Sequence, residues 1–412
     1  MTSSRPRLLA LYAFLLFLAS PLAAQFDPGR LARVDSFLSS EVAKGTIPNA
    51  QALVIHRGRT VLRSTHGYAD LASRRPARPD DIYRIVSQTK ALVSVGLMML
   101  FEEGRFQLED PVGKYLPAFA APRVLVGYDS LAGRYLTRPA ERPLTIRHLL
   151  SHTAGIGHGL PQGVPDSLRV PIYMSLGEES LAEVTDRLAR WPLLHEPGAA
   201  FTYGLGSDVV ARLVEVLSGQ PLDEFLAERL FRPLGMTDSY FYLPASKHDR
   251  LVTVYSRHGG PDAPLTVHEN EHYRDFALRG AQRLLSGSGG TVGTIDDYAR
   301  FCRMILAGGS LDGHYYLNPR TVALMAENQI GEHTVWERGD KFGLGFQIIG
   351  PGSRYGDLAS PGSLLWGGLF CSEFTIDPAE ELICLVYTNV APLPQYGEIV
   401  RKFRTLVYAA LE

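Results

Sequence analysis

The chain has 412 residues, 45% of them hydrophobic and 20% charged, with a formal net charge of −2. This is an ordinary globular composition, and its slightly acidic balance argues against nucleic acid as a partner. No internal repeat or low-complexity tract points to a solenoid, a propeller or a disordered chain.

Arg5 and Arg7 precede the apolar run Leu8–Ala19, and the small-residue stretch SPLAAQ follows. That pattern predicts a secretory signal peptide over residues 1–24, cleaved after Ala23 or Ala24, with an apolar run too short to span a bilayer comfortably. No cysteine follows to take a lipid. The expectation is a periplasmic or secreted protein with no stable membrane span once the signal is removed.

Residues 26–45 carry apolar side chains at helical spacing and stop at Gly45, which predicts a first helix. Two strand-like runs then meet at Arg57-Gly58-Arg59 as a hairpin. From Ser87 to Glu103 the sequence reads as a helix apolar on nearly every face, with Gly104 as its stop. The middle third is helical and loop-rich, its main segments lying around residues 145–156, 180–191, 207–219, 222–235 and 294–309. Strand patterns return in FGLGFQII, LFCSEFTID and LICLVYTN, and an amphipathic helix closes the chain from about 395 to 411.

Strands at both ends and helices between them predict an α/β fold. Its antiparallel sheet is built from both chain ends and flanked by the terminal helices, and a mostly helical subdomain is inserted. One catalytic domain is expected over 25–412, with a sheet part at about 25–86 and 340–412 and a helical part at about 87–339. The three cysteines, Cys302, Cys371 and Cys384, read as free structural thiols. With a hairpin turning at Asp377–Glu380, Cys371 would face Val386 and sit diagonally from Cys384, roughly 7–8 Å away, which is too far for a disulfide.

Only six of the 41 basic residues are lysines, and one of them, Lys90, follows a serine by three positions. On a helix this spacing lets Lys90 reach the Ser87 hydroxyl. A serine becomes a nucleophile when a neighbouring base takes its proton, and a buried lysine can be that base. Alone the pattern is weak. Its context carries it, because Lys90 opens an apolar helix where an unpaired lysine is costly.

The SQTK segment, HLLSHTAGI (His148–Ile156) and the stretch Glu196–Phe241 resemble the serine β-lactamase-related superfamily. That group includes class C β-lactamases, DD-peptidases, D-aminopeptidases and family VIII carboxylesterases. The resemblance implies an α/β sandwich with a helical subdomain and an active site between them, and no cofactor. It places Tyr203 at the catalytic tyrosine and Leu205 where the family has asparagine. Trp366-Gly367-Gly368 stands at the third motif, just before a strand, where penicillin-recognising relatives carry a lysine. The Trp-Gly-Gly form resembles the family VIII carboxylesterases.

The implied machinery is Ser87 as nucleophile, with Lys90 and Tyr203 sharing the base role. The backbone N–H groups of Ser87 and Leu369 form the oxyanion hole, and Trp366, Gly367, Gly368 and Leu205 contact substrate. Lacking the motif cation and the asparagine amide, the pocket should favour small neutral esters over anionic peptides or β-lactams, unless a loop arginine replaces the cation. The alternative is a β-lactamase, D-aminopeptidase or DD-peptidase. A rival centre, His268-Glu269-Asn270-Glu271-His272, matches H-E-x-x-H. It lacks the apolar helix face and the third histidine of a zinc peptidase, so no metal is expected. The lipase-type G-x-S-x-G elbow is absent.

Overall fold

The computed structural model describes residues 26–412, and the segment expected to be a signal peptide lies outside the described residues. Helix α1 (Pro28–Ala43) starts at Asp27, whose carboxylate accepts from the Gly29 and Arg30 N–H groups. Strands β1 (Asn49–His56) and β2 (Arg59–Asp70) form the expected hairpin, and β3 (Arg75–Pro76) extends it. Helix α2 (Thr89–Glu102) is buried on every face over its first twelve residues. The middle of the chain supplies a hairpin of β4 (Arg123–Asp129) and β5 (Arg134–Pro139) that the sequence pattern did not announce. Helices α3 (Ile146–Leu150), α4 (Leu181–Leu188), α5 (Gly206–Ser218), α6 (Leu222–Leu226) and α7 (Ile295–Leu306) follow. The C-terminal part contributes β6 (Lys341–Phe342), β7 (Gln347–Ile348), β8 (Leu364–Gly368), β9 (Ser372–Asp377), β10 (Leu382–Tyr387) and α8 (Tyr396–Tyr408).

The main sheet runs β6-β7-β8-β9-β10-β1-β2-β3, and every neighbouring pair is antiparallel. Its centre joins the two chain ends, with Gln51 opposite Tyr387 and His56 opposite Leu382. Alternate residues of β1 and β10 face different layers. Ala52, Val54, Cys384 and Val386 pack with Leu31, Val34, Phe403 and Val407 of the terminal helices. Leu53, Ile55, Ile383 and Leu385 face the core that holds α2, α5 and α7. Helix α7 packs on β1, β9 and β10, so the sheet layer draws one helix from within the 87–339 stretch.

Two sequence expectations change in detail. FGLGFQII is not one strand but the short pair β6 and β7, with Gly343 and Gly345 in the turn between them. The β9–β10 hairpin is longer than expected, because Asp377 pairs with Leu382 rather than turning at once. The Asp377 carboxylate accepts from the Ala379 and Glu380 N–H groups and holds that wider loop. Glu373 therefore faces Val386, Thr375 faces Cys384, and Cys371 lies beside Thr388. A shift of two residues keeps each side chain on its face, so both cysteines stay buried. All three cysteines are free. Burial pushes the Cys371 thiol up to about 12 and raises Cys384 and Cys302 as well.

Candidate active site

Ser87 lies in a tight turn, Val86–Gln88, that delivers the chain into α2. The preceding residue, Val86, has φ +45°, a left-handed conformation that is costly for a β-branched side chain. The other residues of the SQTK segment fix this turn in place. Gln88 donates to Ser372 Oγ at 3.1 Å and accepts from the Tyr387 hydroxyl at 2.7 Å, tying the turn to the sheet. Thr89 Oγ1 lies 2.6 Å from Thr291 Oγ1, tying it to the glycine-rich loop 286–291. Neither role is visible in the motif.

Lys90 is only 2% exposed and Ser87 only 6%. The ammonium donates to Ser87 Oγ at 3.3 Å and to the Ser288 carbonyl. It also lies 4.7 Å from the centre of the Tyr203 ring and 5.0 Å from that of Tyr173. The loop that carries the Ser288 carbonyl is held by Asp208 at the start of α5, whose carboxylate accepts from the Ser288 N–H at 3.0 Å and the Ser286 hydroxyl at 2.7 Å. Burial raises the Asp208 carboxyl above its ordinary range. Asp208 thus positions the loop that positions Lys90.

Tyr203, from the loop just before α5, reaches the same hydroxyl, its OH 2.7 Å from Ser87 Oγ. The HLLSHTAGI stretch supports it. Thr202 N–H donates to the His152 carbonyl at 2.7 Å. A Cβ on Gly204 would stand 2.2 Å from the Ile156 carbonyl, so only glycine permits this approach. The His152 and His158 rings each pack edge-on at 5.0 Å from Tyr203. Burial, reinforced by Lys90, holds both imidazoles neutral, His158 at about 4 and His152 well below its usual value. His158 Nε2 lies 2.6 Å from the Tyr173 hydroxyl, and burial raises that phenol well above its usual range.

The third motif does not precede a strand; it ends one. Trp366, Gly367 and Gly368 close β8, and Leu369 begins the turn into β9. Both glycines are required by close approach rather than by backbone angle. A Cβ on Gly368 would lie 2.5 Å from the Ile85 carbonyl, and one on Gly367 would lie 2.3 Å from the Tyr396 hydroxyl. The missing side chain at Gly368 lets β8 lie against the segment before Ser87, and Ser87 and Leu369 line one cavity of about 400 Å³. The Leu369 N–H has no backbone acceptor among the described residues.

The cavity wall is aromatic. Trp366 is 5% exposed and lies 5.0 Å from the Tyr203 ring. Trp336, from a loop the sequence reading passed over, stacks on Trp366 at 5.4 Å. Leu205 corrects the sequence expectation of a substrate contact. It is 1% exposed, sits in the core at the start of α5, and does not line the cavity. The loop arginine that the sequence left open is present, because Arg338 lines the cavity.

In the cavity wall, buried Glu373 contacts Arg404 and accepts from the Tyr355 hydroxyl at 2.9 Å. Burial pushes the Glu373 carboxyl up, against the pull of the guanidinium. Arg404→Met is expected to cost roughly 3–5 kcal/mol, because it leaves a buried carboxylate without its cation. A urea titration measures this, and adding Glu373→Gln should recover much of the loss.

The H-E-x-x-H segment does not form one helical face. Asn270 caps the short helix Glu271–Asp275, so His268 lies outside it. His268 Nδ1 accepts from the Asn270 N–H, and His272 Nδ1 accepts from the Leu176 N–H. No group of three or more potential metal ligands occurs among the described residues.

A buried serine hydroxyl shared between an amine and a phenol, at the joint of an antiparallel sheet and a helical layer, is the arrangement of a serine hydrolase. The chain belongs to the Beta-lactamase family, whose model matches residues 34–409. It is 30% identical to the Esterase EstB of Burkholderia gladioli over 94% of this chain and 98% of that one. It is 28% identical to the monacolin J acid methylbutanoyltransferase of Aspergillus terreus over 81% and 83%. The solved structure of EstCE1, a hydrolase with promiscuous acyltransferase activity, superposes with a TM-score of 0.77 at 26% identity, covering 92% of this chain and 99% of that one. No helix among the described residues is long and apolar enough to cross a membrane.

Proposed function

We propose that the protein hydrolyses carboxylic esters through an acyl-enzyme on Ser87. The observation that carries this reading is the placement of Ser87 Oγ between Tyr203 OH and Lys90 Nζ, at the wall of an aromatic cleft. Ser87 Oγ attacks the ester carbonyl carbon while its proton passes to the base shared by Lys90 and Tyr203. The backbone N–H groups of Ser87 and Leu369 stabilise the oxyanion. The alcohol leaves with the proton. Water then attacks the acyl carbonyl by the same route, releasing the acid and restoring Ser87.

The choice of esters over β-lactams rests on what stands beside the nucleophile. A β-lactam carries its carboxylate close to the reactive carbonyl, where the Trp366 indole and the Tyr203 ring meet it. A charge-assisted hydrogen bond contributes roughly 1.5–3 kcal/mol, and its loss there removes about one to two orders of magnitude in affinity. The names of the esterase and acyltransferase relatives support the same choice. We expect p-nitrophenyl butyrate to exceed nitrocefin in kcat/KM by about a hundredfold or more. Equal rates would favour the β-lactamase or peptidase alternative. Residues 1–24 carry the pattern of an export signal, and we infer that the enzyme works in the periplasm or outside the cell. Fractionation with N-terminal sequencing of the mature chain tests that.

A further inference from the structure

Arg338 is a half-buried cation in the cavity wall. Its guanidinium lies 4.8 Å from the centre of the Trp336 ring and 4.3 Å from that of Tyr355. Among the described residues it has no ion pair and donates no side-chain hydrogen bond. The other charged group of the wall, Glu373, is already engaged by Arg404 and by the Tyr355 hydroxyl. Nearby Arg401 is likewise taken, by Asp357. Two aromatic faces thus hold the Arg338 guanidinium in place through cation–π attraction and leave its planar set of N–H donors without an acceptor.

The contacts run outward from the nucleophile. Tyr203, bonded to Ser87, lies 5.7 Å from Trp336, and Trp336 in turn carries Arg338. An anion attached at the reacting carbonyl meets aromatic rings, whereas one several bonds away can reach the guanidinium. We propose that Arg338 is a specificity-determining residue that binds a carboxylate carried by the ester substrate several bonds from the scissile carbonyl. This rests on the ester-hydrolase reading, and it names the substrate class as a monoester bearing a second, free acid.

Two pairs of substrates test the proposal, each pair differing only in one charge. The first is the mono-p-nitrophenyl ester of adipic acid against its methyl ester, with the carboxylate on the acyl chain. The second is 3-carboxy-4-nitrophenyl butyrate against its methyl ester, with the carboxylate on the alcohol. The readout is the kcat/KM ratio within each pair, so any loss common to both members cancels. The charged member of one pair is expected to lead by roughly tenfold or more, mostly through KM. Arg338→Gln should bring that ratio to about one, and Arg338→Lys should keep part of it. Which pair responds tells whether the acid sits on the acyl or the alcohol side. No advantage for the charged member in either pair, or an advantage that survives Arg338→Gln, overturns the proposal. A binding measurement separates it from the ester reading. On Ser87→Ala protein, calorimetry should find the charged member of one pair, monomethyl adipate against dimethyl adipate or 3-carboxyphenyl butyrate against its methyl ester, bound about tenfold more tightly, and the difference should vanish with Arg338→Gln. If it does so while no ester is turned over, the anion site stands and the ester reading falls.

Discussion

Ser87→Ala is expected to abolish ester hydrolysis while leaving the thermal unfolding transition near that of the wild type. The hydroxyl is small, and the turn that presents it is held by Gln88 and Thr89 rather than by Ser87 itself. Because the hydroxyl is the acyl acceptor, no other group in the cleft can substitute for it. A fluorophosphonate probe should add its mass to the peptide containing Ser87 in the wild type and to no peptide in the variant. Labelling at another serine, or undiminished turnover by the variant, would sink the assignment.

The second large effect is at the shared base. Lys90→Ala and Tyr203→Phe should each lower kcat by at least roughly a hundredfold, and the double variant should lose little more than the worse single one. The geometry motivates non-additivity, because both groups contact one oxygen and the ammonium lies against the Tyr203 ring. Losses that multiply cleanly would mean two independent roles. Lys90→Ala also leaves the Ser288 carbonyl without its donor, so a calorimetric scan should accompany the kinetics.

Much of this centre was legible because its parts are local. Ser87 and Lys90 are one helical turn apart, and a lysine opening an apolar helix is conspicuous. The order of strands and helices sufficed for the sheet, since both chain ends alternate in the same way. Tyr203 was reached only through resemblance, because nothing near it in sequence distinguishes a catalytic phenol from a loop aromatic. Leu205 was misjudged for a related reason. A position aligned with a polar motif residue was taken to face the cleft, yet an apolar side chain there turns into the core. Asp208, Ser288, Tyr173, Trp336 and Arg338 left no pattern at all. Their roles come from contacts between segments far apart in the chain, and neither helical nor strand periodicity reports such contacts. The hairpin register was missed by two residues because the Asp377 side chain stabilises a wider loop, and alternation alone cannot distinguish registers that keep the same faces.

The pairing of β1 with β10 at the middle of the sheet has a consequence for how the chain is made. All eight residues of β1 are buried in the finished molecule, and one of its two partners arrives only with residues 382–387. Throughout synthesis of the intervening chain, β1 has β2 alone beside it and presents an open, apolar edge, the kind of surface that invites pairing with other chains. Closure of so distant a contact is also slow. A chain stopped short of Leu382 cannot complete its own centre, however well its helical region folds. Completeness of translation is therefore read out in the core of the sheet, and a cell that makes this protein must keep the early strands apart from their neighbours until the last ones emerge.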